Sequence, residues 1–268
     1  MAVRVQVFGS TSSGNSTLVC NERSAVLVDC GLGLRYTRAC LAGNGMDYAD
    51  LDGVLLTHAH RDHINACVVR QLVKNRVPLY CHSAVVEHLD TMFPSIHEAL
   101  AADLIRPFGA GSLRVGALEA EPFMVPHDAP GGTWGYALSI PQGKEALRVV
   151  VSTDLGRADT HLIDHFRNSD VIVLESNHNR QMLRDSGRPI WLQQRIRRAH
   201  LCNTECASFL AATVEKSERP IHTVVLAHVS QQCNTNDLAL EHARRYLDGS
   251  GVNIVLTHKQ RASEVVTL

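Results

Sequence analysis

The chain has 268 residues, 45% of them hydrophobic and 20% charged. This is the balance of a globular protein able to bury a full core, and it excludes a disordered or fibrous chain. The formal charge of -1 excludes a global electrostatic pull on nucleic acid, so any such contact needs a local patch. Met1-Ala2-Val3-Arg4-Val5 lacks the basic and apolar regions of a signal peptide, and no apolar run is long enough to span a membrane. Eight cysteines without a Cys-x-x-Cys read as small buried hydrophobes in a reduced, cytoplasmic protein.

Residues 3–8 alternate and open as a strand. Residues 9–16 are a small-residue loop whose amides and hydroxyls, at Ser12, Ser13 and Asn15, either cradle phosphate oxygens or turn a hairpin. Residues 17–20 and 25–29 read as strands, and 34–41 as a helix closed by Gly43 and Gly45. The apolar run 53–56 is too short for a helix and reads as a buried strand. It leads into Thr57-His58-Ala59-His60-Arg61-Asp62-His63, with three histidines and an aspartate in six positions. If the chain stays extended through His60, His58 and His60 project to one side and can grip one metal ion. A turn at Arg61 then aims Asp62 and His63 at a second position close by. Imidazole nitrogen and carboxylate oxygen are the ligand types of a hydrolytic zinc or manganese site.

Residues 64–74 have helical spacing, 77–81 read as a strand and 84–92 as a helix; His82, His88 and His97 read as surface or core. Residues 113–125 are β-rich and end at Pro126-His127-Asp128. Strands at 134–140 and 147–152 follow, the second ending at Thr153-Asp154. A strand at 171–174 runs into Glu175-Ser176-Asn177-His178. Residues 180–198 read as a helical segment carrying six arginines against one acid, Asp185. Thr204 is the expected N-cap of a helix to 216. A strand at 224–227 ends at His228, Thr235 caps a helix to 247, and a strand at 254–256 closes the fold. No repeat or linker interrupts this order, so one domain over 1–268 is expected.

The order His-x-His-x-Asp-His resembles the signature of the metallo-β-lactamase superfamily, and the resemblance runs over nearly the whole chain. It implies an α/β fold, a four-layer αββα metallo-β-lactamase-like sandwich, with two divalent metal ions at one edge of the sheets, zinc or alternatively manganese. It assigns His58, His60 and His127 to one metal and Asp62, His63 and His228 to the other, with Asp154 bridging both. Class B β-lactamases place a cysteine where Asp154 stands; a carboxylate fits the glyoxalase and phosphodiesterase branches. Residues 8–15 (Phe-Gly-Ser-Thr-Ser-Ser-Gly-Asn), His127-Asp128-Ala129, 152–156, 174–178 with Met182-Leu183, and Ala227-His228-Val229-Ser230 with Asn234 are similar to the YycJ/WalJ subfamily. That similarity implies 5′-to-3′ exonuclease activity on DNA. Ala199-His200-Leu201-Cys202-Asn203 departs from the subfamily's Gly-His-Leu-Ser-Asn.

Phosphodiester hydrolysis needs charge neutralisation and a strong nucleophile, which two metals roughly 3.5–4 Å apart supply. The leaving alkoxide needs a proton, for which His178 and His200 are the candidates; Asp62 joins them among the catalytic groups. Arg195, Arg197 and Arg198 are the expected phosphate contacts through their bidentate forks, with Trp191 as a stacking surface. The alternative for this segment is a solvated helix whose charges pair locally. The expected substrate is nucleic acid, DNA rather than RNA. Hydrolysis of a thioester, lactone or β-lactam by the same metals is the rival enzyme reading, and a metal-binding regulatory protein the non-enzymatic one.

Overall fold

Neighbouring residues of one strand serve different cores in this chain, and that decides its layering. In the computed structural model, which describes residues 2–143, 145–258 and 261–268, the first half contains β1 (Arg4–Thr11), β2 (Gly14–Cys20), β3 (Ala25–Val28), α1 (Leu34–Gly43), β4 (Gly53–Leu55) and α2 (Ala66–Asn75). β5 (Leu79–His82), α3 (Ser83–Leu89), α4 (Pro94–Ala101) and β6 (Ile105–Phe108) complete it. The second half opens with β7 (Leu113–Val115), β8 (Leu118–Val125), β9 (Thr133–Gln142), β10 (Glu145–Ser152), α5 (Ile163–Phe166) and β11 (Val171–Glu175). It continues through α6 (Arg180–Arg184), α7 (Ile190–Ala199), α8 (Asn203–Glu215), β12 (Thr223–Ala227), α9 (Asn236–Tyr246) and β13 (Asn253–Leu256). Finally β14 (Val266–Thr267) pairs antiparallel with β1.

Two seven-stranded sheets result, ordered β14-β1-β2-β3-β4-β5-β6 and β13-β12-β11-β10-β9-β8-β7. Side chains alternate across a strand. In β3, Val26 and Val28 therefore enter the core between the sheets while Leu27 packs towards α2. β11 does the same, with Val171 and Val173 between the sheets and Ile172 and Leu174 packed with Cys206 and Leu210 of α8. Sheets covered on both faces need near-continuous apolar strands, and β3, β11 and β12 are buried at every residue. The layers are thus helix, sheet, sheet, helix.

Each sheet begins as an antiparallel meander and turns parallel, from β3 to β6 in the first and from β10 to β13 in the second. In open parallel sheets the carboxyl ends of strands carry the ligand crevice. Asp29, the histidine stretch at 58–63, Asp154, Glu175 and His228 all stand at or just past such ends.

Four expectations need correction. Residues 180–198 form two helices, because Gly187 takes a left-handed φ of 68° and Pro189 then caps α7. The N-cap of α8 is Cys202, not Thr204, and its amide donates to the Glu205 carboxylate at 3.0 Å. α4 and β6 were not expected; Pro94 starts α4 at a position where its missing N–H costs nothing. The closing strand is β14, which returns to the first sheet.

Candidate metal centre

The first half supplies its part of the centre from one stretch. After β4 the Thr57 amide and hydroxyl both donate to the Asp29 carboxylate, at 2.8 and 3.0 Å. Asp29 holds a left-handed φ of 63°, a conformation that costs a non-glycine residue and that Asp tolerates better than most. The extended segment brings His58 Nε2 to 3.0 Å from His60 Nδ1. The chain then turns, the His63 amide donating to the His60 carbonyl at 3.0 Å. The backbone there is pressed against Gly31, where a Cβ would lie 1.8 Å from the Asp62 carbonyl oxygen, so only glycine fits. His63 Nδ1 lies 2.7 Å from Asp29 Oδ2, and its Nε2 lies 3.1 Å from Asp154 Oδ2.

The second half contributes one group per strand end. His127, past β8, donates from Nδ1 to the Ala199 carbonyl at 2.8 Å, which leaves Nε2 free and 3.8 Å from Asp154 Oδ1. The end of α7 is held close because Gly156 lets the Arg198 carbonyl approach to 2.0 Å from where a Cβ would sit. Past β12, His228 takes a left-handed φ of 50° while its amide donates to Ser10 Oγ at 3.0 Å. Its Nδ1 faces Glu175 Oε2 at 3.2 Å.

Glu175 is fully buried and acts as a hub. Its Oε1 accepts from the Leu155 and Leu201 amides at 2.7 and 3.1 Å, and its Oε2 meets His200 Nδ1 at 3.0 Å as well as His228. Carboxylates behind metal-facing histidines fix the tautomer and aim the other ring nitrogen. Asp29 does this for His63 and Glu175 for His228. Neither role was foreseen from the sequence; the only signal is an acid closing a wholly apolar strand.

The electrostatics follow from this crowding. Burial alone would raise the Asp154 carboxyl, but His228 and His63 outweigh it and hold it well below the usual carboxylate range. Burial likewise works against protonated His63, and Asp29 and Asp154 overcome it and keep the imidazole well above its ordinary value. For His200, burial is again the largest single influence and lowers the pKa, yet Glu175 and then Asp154 raise it to about 9. At His58 burial, joined by the neighbouring His63, outweighs the pull of Asp154 and pushes the imidazole well below its ordinary value.

Among the described residues, three overlapping groups converge closely enough to hold a cation: His58, His60 and His127; His58, His63 and Asp154; and Asp154, Glu175, His200 and His228. Asp154 belongs to two of them. Among the described residues, His228 Nε2 is buried without a hydrogen-bond partner, and the His58 and His60 nitrogens confront one another at 3.0 Å. Buried polar atoms are normally paired, so this donor set fits divalent metal.

The other expected residues are placed as follows. Asp62 lies 3.5 Å from His63 Nε2 with its side chain 24% exposed, outside the three converging groups. Ser12 and Ser13 sit at the exposed tip between β1 and β2. Asn15 is buried, its amide nitrogen 2.9 Å from His63 Nε2 and 3.3 Å from Asp62 Oδ2, so it faces the histidine cluster rather than solvent. The His200 ring is within 5.1 Å of His127 and 5.2 Å of His228. His178 is instead buried beside Cys202, lowered to about 4 by burial, with Nδ1 unpaired. Arg195 pairs with Asp128 beside His127, Arg198 donates to the Gln194 carbonyl, and Arg197 has no partner among the described residues.

The β-lactamase superfamily domain matches residues 24–228, a span that runs from the first sheet to the last histidine of the cluster. The chain belongs to this superfamily. Its curated relatives include the exodeoxyribonuclease YycJ of Bacillus anthracis, 29% identical over 95% of this chain and 92% of the relative. The exodeoxyribonuclease WalJ of Streptococcus pneumoniae is 28% identical over 88% and 85%. Among solved structures, the Zn(2+)-bound PqqB of Methylobacterium extorquens superposes with a TM-score of 0.71, covering 99% of this chain and all of the other, at 15% identity. That likeness concerns the fold. The superfamily member described here is a metallo-β-lactamase-fold hydrolase with His/Asp clusters able to bind metal. Among its described residues no helix is long and apolar enough to cross a membrane.

Proposed function

We propose that this chain is a dinuclear phosphodiesterase acting on nucleic acid, a 5′-to-3′ DNA exonuclease. The observation that carries the reading is the convergence of two donor groups on Asp154 at the foot of an arginine-rich helix. His58, His60 and His127 would hold one ion, Asp62, His63 and His228 the other, with Asp154 shared; zinc suits this set and manganese is the alternative. Bound metal supplies a nucleophilic water at neutral pH and neutralises the phosphoryl oxygens.

The chain's own residues do the rest. Asp29 and Glu175 aim His63 and His228 by occupying their far nitrogens. Asp62, partly exposed beside His63, would also orient the attacking water. His200, raised to about 9, retains a proton at neutral pH, and it is 18% exposed where His178 is buried. This favours His200 as the donor to the leaving alkoxide. A basic approach along α7, rather than an enclosed apolar pocket, favours a polyanion over a thioester or lactone.

The test uses metal-reconstituted protein with end-labelled single- and double-stranded DNA and RNA, beside bis-p-nitrophenyl phosphate and a thioester. Progressive shortening of DNA from its 5′ end is the expected result. Thioester turnover without cleavage of any diester would overturn the reading.

A further inference from the structure

Three concavities run along α7 and share side chains. The first, about 380 Å³, is lined by His127, Asp128, Arg195 and Arg198, and so opens on the metal cluster. The second, about 310 Å³, is lined by Gln194, Arg197 and Arg198. The third, about 240 Å³, lies between α6 and α7, with Arg180, Arg184 and Arg197 around buried Leu183 and exposed Ile190. Arg198 joins the first to the second, and Gln194 and Arg197 join the second to the third. The break at Gly187 and Pro189 makes the far pocket, because a continuous helix over 180–198 would leave no cleft between its two parts.

The charge along this track is poorly neutralised. Asp128 is its one lining acid, and it is paired with Arg195. Arg180 is held by Glu205 at 2.8 Å. Arg184, however, meets only the neutral Gln181, and Arg197 has no partner among the described residues. Beyond His228, on the other side of the cluster, a cavity of about 290 Å³ is lined among the described residues mostly by hydroxyl and amide groups such as Ser10, Ser230, Asn234 and Asn236, with His258 at its edge and Arg261 against His258. Several arginines line the continuous track along α7, so a polyanion extending from the metals this way meets incompletely neutralised cationic charge. Ile190 lines the far pocket, and it and its chain neighbour Trp191, at the start of α7, are each 66% exposed. A cationic groove ending at an exposed aromatic is how single strands are held, phosphates on arginine forks and bases on the aromatic face.

We infer that the cavity of Arg180, Arg184 and Arg197 is a distal subsite for a backbone phosphate of single-stranded nucleic acid, several nucleotides from the bond cleaved. The inference rests on the phosphodiesterase reading above. It makes turnover depend on substrate length, since a dinucleotide reaches the metals but not this pocket.

The test measures kcat and KM of the metal-loaded protein on single-stranded oligodeoxynucleotides of increasing length, from the dinucleotide upward. kcat/KM of the wild type should climb with length to a plateau. Arg184→Ala, at an exposed position, should lower the long-to-dinucleotide ratio roughly 10-fold through KM, the scale of one charged hydrogen-bonded contact. It should also flatten the log–log salt dependence by about 0.7. Arg184→Lys should recover part of the ratio, keeping charge without the fork, and Arg114→Ala on β7 serves as the control arginine. Equal kcat/KM at all lengths, or an unchanged ratio in Arg184→Ala, would overturn the subsite and leave the nuclease reading standing. Cleavage of bis-p-nitrophenyl phosphate with no cleavage of any oligonucleotide would instead remove that reading and the subsite together.

Discussion

In the first sheet a buried carboxylate, Asp29, stands behind one histidine of the cluster; in the second sheet Glu175 stands behind two. Both sit at the end of a buried parallel strand and both collect backbone amides, Thr57 for Asp29 and Leu155 with Leu201 for Glu175. Their charge states are held differently. Burial dominates at Asp29 and raises its carboxyl despite His63, whereas at Glu175 the pull of His200 and His228 overcomes burial and lowers it. The first device serves ligand geometry alone. The second couples an expected ligand, His228, to a histidine outside the expected ligand set, His200, and so would tie metal geometry to the proposed proton-donor position.

The largest effect should come from removing the group both halves share. Asp154→Ala should leave less than one equivalent of metal per chain by elemental analysis, whereas His228→Ala should mainly weaken one position. A variant that kept both metals would break the picture of two halves meeting at one carboxylate.

Next in size is the test of the coupling peculiar to Glu175. His200→Ala should slow DNA cleavage by about 10²–10⁴-fold while sparing bis-p-nitrophenyl phosphate, whose leaving group needs no proton. Because the His200 pKa is raised, its proton is present at neutral pH and is lost as pH climbs through it. The alkaline limb of kcat/KM on DNA should therefore lie at or below about 9 and disappear in the variant. Equal losses on both substrates with metals retained would reject the donor role.

The two carboxylates can then be compared directly. Asp29→Asn and Glu175→Gln should each weaken metal binding about 10–100-fold, read by competition with a chromogenic chelator. Only Glu175→Gln should also shift the alkaline limb on DNA. Identical pH profiles would mean that the two carboxylates do the same work.

The smallest change is expected at Asn15, which ties the β1–β2 turn to the Asp62–His63 corner and, through Ser10, to His228. Asn15→Ala should cost about 1–3 kcal/mol of stability in denaturant unfolding, because it removes several side-chain hydrogen bonds and leaves buried partners unsatisfied. It should lower metal retention more than it raises the KM for DNA. The reverse pattern would return Asn15 to the substrate-contact role suggested by its loop composition.

What the amino-acid order determined by itself is what depends on neighbours along the chain. The pairing of His58 with His60 follows from the two-residue period of extended backbone. The strand cores follow from apolar runs, and Thr235 caps its helix as a threonine at that position should. Much of the centre's first half was legible for this reason, since its histidines lie within one turn of chain. Only the tertiary structure decided the parts built by convergence. Glu175, His200 and His228 are separated by 25 and 28 residues in sequence, and no local period brings them together. They meet because parallel β11 and β12 end side by side and α7 returns across that edge. The same holds for Asp29, whose task is set by a strand pairing. The helix break at Gly187 and Pro189 is a local signal, but that the two helices close a cleft of Arg180, Arg184 and Arg197 is decided by how they pack.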